Sequence, residues 1–163
     1  MVALAKSYKK NPYIRELAKH LVSGCADRDV ICEITQLQHF VRDQVRYTLD
    51  VHGYETLQTP LNTLGIIEQP DGTFHSFGNL PEASGDCDDK ATLLASLLLA
   101  VGIPGRFCAI GTGRFGEFSH VLVEARLRLR YTVELIPLET IVPGAEPGWF
   151  PPDATCQMFA NFG

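Results

Sequence analysis

The longest apolar stretch of the chain, Ala91 to Ile103, is interrupted only by Thr92, Ser96 and Gly102. Leu93, Leu94, Leu97, Leu98 and Val101 recur at helical spacing, and Gly102-Ile103-Pro104 supplies a stop. The spacing predicts a helix from Cys87 to about Ala100, too short to cross a bilayer and too apolar to lie on a surface. Such a helix must be wrapped by the rest of the chain, and 163 residues are enough to wrap it as a single domain spanning 1–163. With 45% hydrophobic and 20% charged residues, the composition excludes a disordered chain. Fourteen Lys and Arg against nineteen Asp and Glu give a net charge of −5, without the basic excess that nucleic-acid binding needs. MVALAKSYKK at the start shows no secretory signal, so a cytoplasmic location is expected, with no membrane partner. Cys25, Cys32, Cys87, Cys108 and Cys156 are scattered and lack CxxC spacing, so all five are expected as reduced thiols, with Cys25 and Cys32 on different elements.

Helices come first. Asn11-Pro12 reads as an N-cap followed by Pro at the first helical position, with Ile14, Leu17, Ala18 and Leu21 on one face and Gly24 as a stop. A second helix is predicted from about Asp29 to Tyr47. Between Thr48 and Gly85 the periodicity fades among Gly53, Pro60, Gly65, Pro70-Asp71-Gly72, Gly78 and Pro81, which mark turns. After the apolar helix, strands are expected at Arg106–Ile110, His120–Leu129 and Tyr131–Leu138, the last two joined near Arg130. The segment 143–163 is expected as an extended strap, since Pro143–Pro152 is rich in Gly and Pro. The class is α+β, with helices packed on an antiparallel sheet.

Chemistry concentrates in Ser84-Gly85-Asp86-Cys87-Asp88-Asp89-Lys90-Ala91. Cys87 falls in the first turn of the apolar helix, where unpaired N–H groups and the peptide dipoles favour negative charge. Both effects stabilise a thiolate, and the same N–H groups could face the oxyanion of a tetrahedral intermediate. Gly85 would admit close approach by a substrate. The three carboxylates raise a thiol's pKa and so demand a nearby cation, for which a histidine is the natural candidate. His120 opens a strand just after the Gly-rich turn Gly111–Gly116, which lacks the Lys-Ser/Thr ending of a phosphate loop. Glu139 closes the next strand. If the two strands pair about Arg130, position 139 or 140 falls opposite 120 or 121, which favours Glu139 over Glu134 as the group that orients His120. Glu124 is expected as a paired or solvated strand residue.

Gly85-Asp86-Cys87-Asp88-Asp89-Lys90-Ala91, His120-Val-Leu-Val-Glu124 and Pro137-Leu138-Glu139-Thr140 together resemble the transglutaminase-like superfamily. They look most like the bacterial transglutaminase-like cysteine proteinases and their compact phage-associated relatives. The resemblance covers about 40–142. It implies a papain-like core with Cys87 as nucleophile, His120 as general base and acid, and Glu139 as the third member. Two departures stand out: the family's third residue is usually Asp, and the Trp common before it is missing from Tyr131–Ile136.

The expected function is acyl transfer through a thioester, chiefly hydrolysis of a peptide or protein substrate, by a transglutaminase-like cysteine peptidase or amidase. The alternative is a catalytically silent binding or assembly module of the same fold, associated with a phage particle. No organic cofactor is needed. No metal is expected either, because Cys87 and His120 lack a second Cys or His at close spacing and the Asp run lacks the Gly and Glu of an EF-hand loop. Gln58 and Asn62, in the loop-rich segment, are candidates for a side-chain donor to the oxyanion.

Overall fold

The computed structural model describes residues 1–50, 56–76, 83–111, 118–128, 132–140 and 158–163. The Gly-rich turn at 112–117, the Arg130 turn, Pro143–Pro152 and Cys156 lie outside these residues.

The apolar helix, α5 (Cys87–Ala100), is the axis of the molecule, and every residue from Asp89 to Leu99 is buried. Burying a leucine is worth about 1.5–3 kcal/mol, so α5 recruits cover on every side. Three helices and one short turn of helix pack against it: α1 (Val2–Tyr8), α2 (Pro12–Val22), α3 (Val30–Gln44) and α4 (Pro60–Thr63). The other side is covered by a four-stranded antiparallel sheet formed by β5 (Gly105–Gly111), β6 (Phe118–Arg128), β7 (Val133–Leu138) and β8 (Met158–Phe162), in the order β7-β6-β5-β8. Phe107, Val123, Ala125, Leu138 and Phe162 of this sheet share one core with Leu93, Leu94, Leu97 and Leu98 of α5. Cys108, Ile110 and Leu122 form a separate small cluster. The α+β class, with a Cys-bearing helix on an antiparallel sheet, is the architecture expected from the sequence.

Local signals place most elements. Asn11 Oδ1 accepts from the backbone N–H of Tyr13 at 3.0 Å and of Ile14 at 3.3 Å, with Pro12 opening α2. Gly102 adopts φ 88° after α5. Gly102 N then donates to Leu99 O and Ile103 N to Leu98 O, a Schellman closure. The Pro70-Asp71-Gly72 turn joins β2 (Ile66–Glu68) to β3 (Phe74–Ser76).

Several expectations need correction. The second helix ends at Gln44 rather than Tyr47, because β1 (Arg46–Tyr47) pairs in parallel with β4 (Ser84–Gly85). Arg46 N donates to Ala83 O at 2.8 Å and Thr48 N to Gly85 O at 3.1 Å, bonds that a continued helix would forgo. Met158–Phe162, expected within a strap, is a sheet strand paired with β5. Short α1 carried no strong periodic signal and is held by packing on α5 and β8. The cysteines were expected to be reduced, but Cys25 and Cys32 form a disulfide across the α2–α3 connection, their Cα atoms 5.7 Å apart. Cys108 is disulfide-bonded as well. A link across seven positions carries no motif, which is why spacing alone does not reveal it. Disulfides persist in oxidising surroundings, so the cytoplasmic expectation loses the support it drew from reduced thiols. Among the described residues, no helix is long and apolar enough to cross a membrane.

The first turn of α5 is fastened by a capping box. Asp86 accepts from the N–H groups of Asp88 and Asp89, and Asp89 accepts in return from Asp86 N. Burial is the main force pushing the Asp86 carboxyl up to about 7, with Asp88 adding to it. A carboxyl raised in the folded chain holds its proton above the unfolded value of about 3.9. Its contribution to stability is therefore greatest at low pH and is lost as pH rises towards 7. Asn caps a helix as well as Asp does but carries no charge. Asp86→Asn should therefore melt higher than wild type at pH 8, with the gap narrowing towards pH 4. Thermal melts across that range check this, and a gap independent of pH would contradict it.

Candidate functional site

Cys87 is the first residue of α5, half-buried, and is not part of a disulfide. The β1–β4 pair and the capping box determine where this turn starts. Asp89, almost fully buried, clamps it from outside: Gln58 N donates to Asp89 Oδ1 at 2.6 Å and Gln58 Nε2 to Asp89 Oδ2 at 2.9 Å. Burial pushes the Asp89 carboxyl up, and the Gln58 backbone N–H works against that shift. Gln58, a candidate oxyanion donor, thus spends its side-chain amide on Asp89. Asn62 lies exposed on α4, its backbone N–H donating to Thr59 Oγ1 at 3.2 Å. Gly85 also makes room for Asp89. A Cβ at that position would lie 2.6 Å from Asp89 Cβ, so the glycine permits the close approach of the clamp. The cap also consumes the N–H groups of Asp88 and Asp89, which removes two of the donors that the helix start was expected to offer an oxyanion.

His120 and Glu139 are brought together. His120 is 4% exposed, and its Nε2 lies 2.8 Å from Glu139 Oε2. In β6 it pairs with Ile110, directly beside the shift in register between Ile110 and Gly111. Such irregularities break the two-residue alternation and re-aim side chains at the end of a ladder. The neighbouring pairing sets Val123 against Leu138; continued by two residues, it puts Thr140 opposite Val121, within the expected count. Glu139 follows β7 and reaches His120 diagonally. Its other oxygen, Oε1, accepts from Thr140 N at 2.8 Å, and its carbonyl accepts from Gln38 Nε2 of α3 at 3.0 Å. Both ends of Glu139 are therefore fixed. Gln38 gave no signal in the sequence, because a lone Gln on an amphipathic helix looks like any surface residue. Glu124 forms an ion pair with Arg106 Nε across the β5–β6 ladder, as its strand position suggested.

The bond at Nε2 selects the ring's tautomer. A carboxylate accepts, so the neutral imidazole donates its Nε2–H to Glu139 and carries its lone pair on Nδ1. That gives a base of defined orientation, with a carboxylate placed to stabilise the imidazolium once a proton arrives. α5, with Cys87 at its start, packs on β6, the strand that carries His120.

Asp86, Asp88 and Asp89 can bring one oxygen each within 4.8 Å of one another, the one such group of three among the described residues. Asp86 is engaged in capping and Asp89 in holding Gln58, so these carboxylates fit a role as helix-start braces better than as a ligand set.

The sequence pattern of the transglutaminase-like superfamily matches residues 15–154. The crystal structure of a putative cysteine protease from Cytophaga hutchinsonii aligns with a TM-score of 0.50 and 20% identity, covering 82% of this chain and 38% of that one. The chain thus spans well under half the length of that protein, and at this identity the likeness is one of fold. No curated protein matches the sequence. With the family pattern running through the helices, the Cys-bearing turn and the sheet alike, the chain belongs to the transglutaminase-like superfamily.

Proposed function

We propose that the protein is a cysteine-nucleophile acyl-transfer enzyme that hydrolyses a peptide or amide bond in a peptide or protein substrate, with Cys87, His120 and Glu139 as its catalytic residues. The observation that carries this reading is the bond of 2.8 Å between buried His120, on the sheet that packs against the helix started by Cys87, and the half-buried Glu139. A histidine packed for structure alone needs a hydrogen-bond partner, but not a carboxylate that is itself held from both ends.

In this reading His120 Nδ1 takes the thiol proton, and the Cys87 sulfur attacks the substrate carbonyl carbon. Collapse of the tetrahedral intermediate breaks the C–N bond, and the imidazolium gives its proton to the departing amine. The thioester is then attacked by water that His120 deprotonates, which releases the acid and restores the thiol. An amine in place of water would make the same site a transglutaminase. Glu139 has one methylene more than Asp, and the bonds from Thr140 N and Gln38 Nε2 compensate by fixing where that longer side chain starts and ends.

Cys87→Ala should abolish hydrolysis of casein or a peptide library while leaving the melting temperature within a few degrees of wild type. Hydrolysis that survives in this variant would overturn the assignment. Glu139→Gln keeps the shape but lets the ring adopt the wrong tautomer, and should lower kcat by about 10²-fold or more with little change in KM. A wild-type protein that cleaves nothing, and whose Cys87 alkylates with the pH dependence of a free cysteine, would instead favour the silent binding module.

A further inference from the structure

The pairing of β7 with β6 ends at Leu138, opposite Val123, so Glu139 lies one residue beyond the sheet. Its side chain keeps 27% of its surface exposed, and burial alone does not hold it. Gln38, half-buried on α3, donates from Nε2 to the Glu139 carbonyl at 3.0 Å, across 101 positions of sequence. It lies four residues after Ile34 and three before Val41, so it shares the core-facing side of α3 with those buried residues. A polar side chain on such a face must find a partner, and this one finds it beside the bond between His120 and Glu139.

The Glu139 carbonyl and the Thr140 N–H belong to one peptide unit, which is planar and points the two groups to opposite sides. Gln38 holds the oxygen of that unit, while its N–H donates to Glu139 Oε1 at 2.8 Å. Oε2 of the same carboxylate lies 2.8 Å from His120 Nε2. A single rigid plane thus connects the α3 amide to the carboxylate, and turning that plane would pull Thr140 N away from Oε1. A donor on the carbonyl also polarises the unit and strengthens its N–H as a donor. Fastening α3 to the sheet would not by itself call for this bond, because Leu138 before Glu139 and Thr140 after it are already buried, at 1% and 0% exposure. The amide suits the task because it donates without bringing a charge that would compete with the imidazole for the carboxylate.

We infer that Gln38 is a positioning residue for Glu139: by holding the Glu139–Thr140 peptide plane, it keeps the carboxylate aimed at His120 Nε2 and so supports the imidazolium that the thiolate needs. This rests on the proposed roles of Cys87, His120 and Glu139, and adds to them a residue that touches none of the reacting atoms. Misplacing a catalytic group by about 1 Å can cost about 10²-fold, so a single distant bond is enough to matter.

The test is iodoacetamide alkylation of Cys87 in the full chain at pH 7 and at pH 9.5, followed by peptide mass spectrometry. At pH 9.5 a thiol ionises without help, whereas at pH 7 it depends on the imidazolium; a free cysteine reacts about thirtyfold more slowly at pH 7. Wild type should lose only about threefold over that range. Glu139→Gln should slow the pH 7 rate about tenfold, and Gln38→Met, which keeps the length but not the donor, about fivefold, with the pH 9.5 rates unchanged. In the double variant the loss should be no greater than in Glu139→Gln alone, because Gln38 acts through Glu139. Gln38→Asn, which keeps the amide but falls short of the carbonyl, should repeat the Gln38→Met result and takes its place if that variant does not fold. Wild-type rates in Gln38→Met and Gln38→Asn, with Glu139→Gln slowed, would overturn the role of Gln38 and leave the proposed function standing. Losses that multiply in the double variant, or that appear equally at pH 9.5, would also overturn it, by assigning the bond to structure alone. A wild type that itself slows about thirtyfold would defeat the activated thiol together with this inference. An unchanged rate in Glu139→Gln would defeat the third catalytic residue and this inference together.

Discussion

Everything in this molecule answers to the need to keep α5 out of water. Its burial from Asp89 to Leu99 leaves no solvent-facing stripe, so cover has to come from both sides at once, from helices on one and from the sheet on the other. This explains why a short helix such as α1 is worth forming and why the C-terminal strand β8 returns to the sheet. Functionally, it fixes the position of the first turn of α5, where Cys87 lies.

The polar groups of that turn fasten it to its neighbours. Asp86 caps, Asp89 holds the segment before α4 through Gln58, and Lys90 ties the turn to the end of α3. Three acidic residues flanking Cys87 look, as sequence, like an obstacle to a reactive thiol. In the fold, two of them are structural fastenings. On the sheet, the His120–Glu139 pair shows the same economy, with backbone and side-chain bonds at both ends of the acid.

The elements legible in the sequence were those with a period or a punctuation mark: α2 with its Asn11-Pro12 start, α5 with its Gly102 stop, and the β5–β6–β7 meander. The meeting of Glu139 with His120 was legible because both lie at the ends of neighbouring strands. What remained hidden depends on contacts distant in sequence. β1 could not be separated from the helix before it, since only its pairing with Ser84–Gly85 ends that helix. The Cys25–Cys32 bond is fixed by how α2 and α3 meet, and the pairing of Gln58 with Asp89 spans 31 positions. That Gly85 makes room for Asp89 was likewise hidden, since the contact forms only when the capping box closes.

The proposed chemistry turns on a proton at one ring nitrogen. Nitrogen-15 NMR of the imidazole in the Cys87→Ala protein, at a pH where His120 is neutral, reads that proton directly. The structure predicts it on Nε2, held by Glu139, and its transfer to Nδ1 in the Glu139→Gln protein. A proton on Nδ1 with Glu139 intact would leave His120 without a base aimed at the thiol and would contradict the account.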